Sequence, residues 1–443
     1  MSVAPPSALT ATANDRRFGA RGIFAAVLGN GFEFYDFGVY AAYAVMIGKV
    51  FFPSDSEFAS LMASVATFGA GFVSRPLGAM IIGAYGDRKG RKPAMTLTIA
   101  LMAIGSGLVG VLPGYATLGV LAPVLLVLAR LIQGFATGGE MGPATMFMLE
   151  SAAPDKRCFY GSWQLASQNL GNLFVGLTGL VLGRLMTPES LNGWGWRIPF
   201  LLGILIAPVG VYIRNRLKES AAQIQPEKTT GAVLGTLFGK HWGVILMAIL
   251  ITSGGTITQY FLIGMPTYAI AQLHLPPAVA LGGMFTLGAV GAVAALAGGL
   301  LADRFGPKMI AVIPRVLLLV TVVPVVGWLV AGPSTFSYTA VLCYLALLQG
   351  ASGAAMLILV PYLMPAGVRA TGLSVAYSLG VMIFGGTAIP IFTWLVHALH
   401  DPLAGVYYMI AANLLSIVCI VAIGARTAAA LKAADEAAQP VLA

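Results

Sequence analysis

Six ionisable residues stand inside long apolar runs of this chain: the acids Glu33, Asp36 and Glu140, and the bases Arg75, Arg130 and Arg315. An ion held in hydrocarbon is expensive, so each is a candidate for chemistry. Glu33 and Asp36 are spaced i,i+3 and share a helical face that Asn30 continues. Desolvation favours the neutral form of a carboxyl. A buried acid that takes up and releases a proton is what proton coupling requires, and Glu33, Asp36 and Glu140 are its candidates. The alternative is a static ion pair with an arginine of a neighbouring helix. Arg130, Gln133, Thr137 and Glu140 recur at spacings of 3, 4 and 3, a continuous polar stripe that lipid cannot satisfy. A guanidinium offers a fixed fork of donors suited to a carboxylate. Arg75 and Arg130 therefore read either as anion-binding groups or as partners of the helix-one acids.

A second stripe runs through Gln164, Gln168 and Asn172 at i, i+4 and i+8. These amides read as cavity lining, with interhelical hydrogen bonding as the alternative. Tyr377 is a polar candidate in the second half of the chain, beside Gln259, Tyr260, Tyr344, Gln349 and Thr387. Arg315 stands only a turn or two into its run, where snorkelling to the inner surface is the expectation.

The elements that must position these residues follow from composition. Of 443 residues, 58% are apolar and 9% charged, against about 25% charged in soluble domains. The surplus apolar surface must face lipid, which excludes a soluble enzyme and a nucleic-acid binder. The net charge of +9 is assigned to loops on one membrane face. Apolar runs near 22–48, 60–85, 93–112, 119–148, 160–183, 195–213, 242–270, 278–301, 309–331, 335–363, 372–398 and 403–425 are each long enough to span as a helix. With both termini cytoplasmic, the inner loops and tails hold nineteen Lys/Arg and the outer loops three; the positive-inside rule fixes that orientation. The domains expected are a cytoplasmic tail (1–21), a six-helix bundle (22–213), a polar linker loop (214–241), a second six-helix bundle (242–425) and a short cytoplasmic tail (426–443).

An internal repeat supports two bundles. Gly83-Ala-Tyr-Gly-Asp87-Arg88-Lys89-Gly90-Arg91-Lys92 is echoed by Gly299-Leu-Leu-Ala-Asp303-Arg304-Phe305-Gly306-Pro307-Lys308, with the aspartates 216 residues apart. Gln133-Gly134 and Gln349-Gly350 match at the same offset. Duplicated halves suit a transporter whose site lies between two rocking bundles. The loop motifs read as gates: Asp87, Arg88 and Arg91 in one copy, Asp303 and Arg304 in the other, bridging inner helix ends.

The loop motif resembles the signature of the Major Facilitator Superfamily. Several stretches resemble its metabolite–proton symporter family: Gly29-Asn30-Gly31-Phe32-Glu33-Phe34-Tyr35-Asp36-Phe37, Ser74-Arg75-Pro76-Leu77-Gly78, Arg130 to Glu140, Phe159 to Gln164, and Gly195 to Phe200. The segments 52–60 and 122–125 look most like the citrate and tricarboxylate branch. Two departures stand out. Pro307 replaces the position of Arg91 in the second loop copy. The tail after Arg426 is short and without heptads, unlike that of the osmosensing proline/betaine members.

The resemblance implies an all-α membrane protein with twelve helices in two six-helix bundles, importing a small carboxylate such as citrate by proton symport. The proton as coupling ion rests on the resemblance alone. Alternatives are a symporter of another metabolite (2-oxoglutarate, shikimate, proline or betaine), a drug–proton antiporter, or a non-transporting sensor. Substrate contact is expected from Arg75, Arg130, Gln133, Gln164, Gln168, Asn172, Asn30 and Tyr377. Partners are a small anionic metabolite, protons and the lipid bilayer of the inner membrane, with no nucleic acid and a monomeric chain. No phosphate-binding loop, metal cluster or nucleophile elbow is written in the sequence, so no cofactor, metal or enzymatic reaction is expected. Cys158, Cys343 and Cys419 form no disulfide or metal pattern.

Overall fold

A computed structural model describes residues 20–89, 91–138, 152–204, 242–363 and 369–438, with isolated positions at 145, 148, 149 and 239. The linker 214–241 and Glu140 lie outside the described residues. No strand occurs among the described residues. The helices follow the apolar runs, because in lipid a backbone satisfies its own polar groups by coiling.

Span one is Ala20–Ala42 continued by Ala44–Phe51, with a one-residue turn at Tyr43. Span two is Glu57–Val73 and Arg75–Lys89, interrupted at Ser74. Proline lacks an amide hydrogen and disfavours helical backbone in the residue before it. Pro76 thus accounts for the interruption just ahead of Arg75. Span three is Arg91–Val111, span four is described over Leu121–Thr137, and span five is Arg157–Leu185. Span six begins after a 3-10 turn at Gly195–Arg197 and is described to residue 204.

The second half repeats the plan: spans seven (Trp242–Ala271), eight (Pro277–Phe305), nine (Pro307–Ala331) and ten (Thr335–Leu363). Span eleven is Arg369–Gly380 and Gly386–Leu399, joined by a π-type turn over Val381–Gly385. Span twelve is Ala404–Ala438, a helix that runs on through most of the segment expected as a tail.

Among the described residues, eight helices are long and apolar enough to cross a membrane on their own count, with Thr96–Val111 and Leu121–Thr137 as shorter apolar helices. Burial separates lining from lipid-facing helices. Span nine is the most apolar candidate and the least buried, whereas span ten is among the least apolar and the most buried. Lipid sets the first pattern and neighbouring helices the second.

Small residues knit the halves together. A side chain added at Gly176 on span five would strike the Phe285 backbone of span eight, and one at Gly288 would strike Leu173. Gly291 and Gly299 meet Asn169 and Ser162 in the same seam. Close backbone approach replaces the hydrophobic drive that lipid cannot supply. Gly69 on span two meets Gly386 on span eleven in the same way.

Candidate functional site

Span four places Arg130 by packing backbone-to-backbone on span two. Gly134 lies against Gly71, Gly138 against the Arg75 backbone, and Gly78 against Phe135. The Ser74 hydroxyl donates to Leu131 O (2.7 Å) across the break in span two. Arg75 and Arg130 are thereby fixed side by side, opposite the acidic face of span one.

The two acids pair with the two bases. Glu33 Oε1 lies 3.2 Å from Arg75 Nη2, and Asp36 Oδ2 lies 3.8 Å from Arg130 Nη1. Gln133 bridges the second pair. Its Oε1 accepts from Arg130 Nη1 at 2.6 Å, and its Nε2 donates to Asp36 Oδ2 and, at 3.5 Å, to Ser106 Oγ. All five charged or amide groups are nearly inaccessible; Arg130 and Gln133 are 0% exposed. Aromatic faces complete the neutralisation. Arg75 stands over Phe37 and Phe72 (both 4.6 Å), and Arg130 over Tyr40 (4.5 Å), Phe37 (4.9 Å) and Phe68 (5.4 Å). Desolvated cation–π contacts contribute about 2 kcal/mol or more each. Sequence reasoning missed this cage; the signal was the aromatic run around Asp36.

Among the described residues, the cluster still holds polar atoms without partners: Asp36 Oδ1, Arg75 Nε, and Arg130 Nε and Nη2. Gln168 Nε2, both polar atoms of Asn172, and Gln259 Nε2 on span seven are also buried without partners. An unpaired buried donor costs roughly 1–3 kcal/mol. Tyr377 reaches Gln168 across the halves and lies within electrostatic range of Arg75, Glu33 and Tyr260. Tyr260 packs edge-on against Phe72 (5.3 Å). A cleft lined by Glu33, Asp36, Thr98, Met102, Ser106 and Thr137 reaches the acids from within the first half.

Other expected residues sit differently. Asn30 Nδ2 donates to Gln164 O (2.9 Å) and Ser167 Oγ (2.6 Å), tying span one to span five. Arg315 does not snorkel. It is 2% exposed, with Nε on Ser352 Oγ (2.8 Å) and Nη1 on Ser416 Oγ (2.5 Å). Ser352 and Ser416, on spans ten and twelve, supply acceptors inside the bundle that a depth argument could not foresee.

At the face carrying the repeated loops, Asp303 closes the halves. Its carboxylate accepts from the amides of Cys158 (2.7 Å) and Phe159 (2.9 Å) at the start of span five. A carboxylate on a helix N-terminus is doubly favoured, by hydrogen bonds and by the helix dipole. Arg304 is exposed and lies over its neighbour Phe305 (5.3 Å). The side chains of Asp87, Arg88 and Arg91 lie outside the described residues. At the other face, Thr267 Oγ1 donates to Ala41 O (2.6 Å), and His397 stacks on Phe58 at 3.6 Å. Contacts between the halves thus stand toward both faces from the buried ions.

The backbone has close neighbours among solved transporters. It superposes on the xylose transporter XylE from E. coli, in a partially occluded inward open conformation, with a TM-score of 0.69 at 16% identity, covering 90% of this chain and 96% of that one. This defines the class: a multi-pass membrane protein with the twelve-helix major facilitator fold. A family model described as "Sugar (and other) transporter" matches residues 22–222. The chain is 36% identical over 400 residues to a citrate-proton symporter of Salmonella typhi, covering 89% of this chain and 92% of that protein. It is 35% identical over 441 residues to a citrate-proton symporter of Klebsiella pneumoniae, covering 97% of each. The chain therefore belongs to the Major Facilitator Superfamily, in its metabolite–proton symporter family.

Proposed function

We propose that this protein imports a small di- or tricarboxylate, citrate foremost, together with protons, by alternating access across the inner membrane with both termini cytoplasmic. The observation that carries the reading is the buried quartet of Glu33, Arg75, Asp36 and Arg130 with unpartnered guanidinium nitrogens beside it. A carboxylate arriving at Arg75 Nε or Arg130 Nη2 competes with the acids for the guanidinium charge. Protonation of Asp36 or Glu33 frees its arginine for the substrate. Loss of the substrate returns the arginine to the acid, which then releases its proton. Gln168 and Asn172 orient the remaining oxygens, and Tyr377 closes the site from the second half. The similarity to two citrate-proton symporters supports both substrate class and coupling ion. Each imported proton offsets a substrate charge against the membrane potential, worth about 2.3 kcal/mol per charge per 100 mV.

Opening toward the loop-motif face requires Asp303 to leave the amides of span five. Opening toward the other face requires the Phe58–His397 stack to part. Uptake of labelled citrate, 2-oxoglutarate and proline into proteoliposomes under an imposed proton gradient tests the reading. Gradient-driven citrate accumulation is expected; absence of carboxylate uptake under every gradient overturns it.

A further inference from the structure

Arg315 lies outside the quartet and is a buried base. Among the described residues, no ion pair involves it. Its two bonded nitrogens face serine hydroxyls, which carry no charge, and Ser416 itself donates to Ile251 O. Among the described residues, the third nitrogen, Nη2, is buried without a partner.

The second half offers no carboxylate to neutralise it. Asp303 at the end of span eight is held by the span-five amides. Asp401 caps the Leu403 amide in the loop before span twelve. Asp435 and Glu436 follow Ser416 on the same helix by roughly 30 Å of rise. A buried unneutralised charge costs several kcal/mol, more than two hydroxyls offset.

The open edge of the guanidinium is built toward one spot. A Cβ at Gly255 would lie 2.6 Å from Nη2, so the glycine backbone lies close beside that edge and any side chain there would strike the guanidinium, while Gly255 keeps part of its surface accessible. Gln349 Nε2 bonds Gly255 O at 2.9 Å, beside the same spot. Gln259, one turn along the same face of span seven, has an unpartnered Nε2. Gln349 is the repeat counterpart of Gln133, 216 residues earlier. In the first half that glutamine's nitrogen donates to the Asp36 carboxylate. In the second half the equivalent place has donors and no acid.

We propose that Arg315, Gln349 and Gln259 form a second anion site, which takes a single small negative group from solution in the role Asp36 plays in the first half. Two sources share that chemistry: a dissolved halide, or one carboxylate of a transported acid. The halide source is independent of which substrate the protein carries, whereas the carboxylate source rests on the proposed function.

The test is thermal unfolding of the full-length protein in neutral detergent, in potassium methanesulfonate, with chloride or citrate titrated in at constant ionic strength. A saturable rise in Tm with chloride, lost in Arg315→Gln and retained in the exposed-site control Arg304→Gln, assigns the site to a dissolved halide. No chloride effect, with citrate protection lost in Arg315→Gln, assigns it to a substrate carboxylate. Gly255→Ala covers Nη2 without removing the charge, so it is expected to abolish the same response. It serves also if Arg315→Gln does not fold. If neither anion stabilises the wild type, or if both variants respond like it, Arg315 is a structural strut and the proposal fails.

Discussion

The two halves share one plan of helices and divide their charge unequally. The first half buries two acids and two bases as pairs 3.2 and 3.8 Å apart, laced by Gln133 and caged by aromatic rings. The second half buries one base, Arg315, on serine hydroxyls. At the repeat offset, Arg75 and Arg130 correspond to Gly291 and Ala346. The duplication therefore preserved backbone packing, as in the glycine seams, while the ion sites diverged. Packing is needed in both bundles for them to rock. Paired ions need be housed in only one, where they can exchange partners over a short distance.

Replacing a base in each half breaks or sharpens this contrast most strongly. Arg130→Met leaves Asp36 buried without its counter-ion and is expected to lower stability by about 3–5 kcal/mol and abolish uptake. Arg315→Met strands no acid and is expected to be close to neutral in the absence of small anions, because an apolar isostere avoids the desolvation of a buried charge. Thermal unfolding of both variants side by side decides it. Equal destabilisation would erase the distinction.

Next in size is Asp36→Asn, which keeps a polar partner for Arg130 and Gln133 and removes the titrating group. Accumulation driven by a proton gradient is expected to vanish, while exchange of labelled for unlabelled substrate survives. Loss of both would make Asp36 structural.

Asp303→Asn replaces a carboxylate that accepts from two helix-terminal amides. The loss of charge-assisted bonding, about 1.5–3 kcal/mol, is expected to open the loop-motif face more often. With Cys343 and Cys419 changed to serine, faster maleimide labelling of the buried Cys158 measures it. Smallest is Arg304→Gln. Its exposed side chain touches only its neighbouring ring among the described residues, so the effect on stability is expected within about 0.5 kcal/mol.

Much of the site was legible in particular residues. The i,i+3 spacing of Glu33 and Asp36 put both acids on one face, and the stripe of Arg130 and Gln133 pointed the same way. The choice between anion binding and ion pairing was not legible. Which acid meets which arginine depends on how deeply spans two and four settle together, set by the contact of Gly134 with Gly71. Asn30 read as substrate lining, yet its amide is held by span five, since hydrogen-bond partners across helices leave no trace in periodicity. Arg315 was misread because depth along a helix says nothing about which way the side chain turns.

The sequence by itself determined that the chain lives in lipid, how often it crosses, and which ions stand in the crossings. Apolar length and charge placement are one-dimensional quantities, and a bilayer reads them directly. Only the tertiary structure decided the partners: two paired arginines, one unpaired, and an aspartate seated on a helix end instead of on an arginine. Those contacts join residues tens to hundreds of positions apart. Their geometry is fixed by the close approach of backbones at glycines, which the order of residues does not contain.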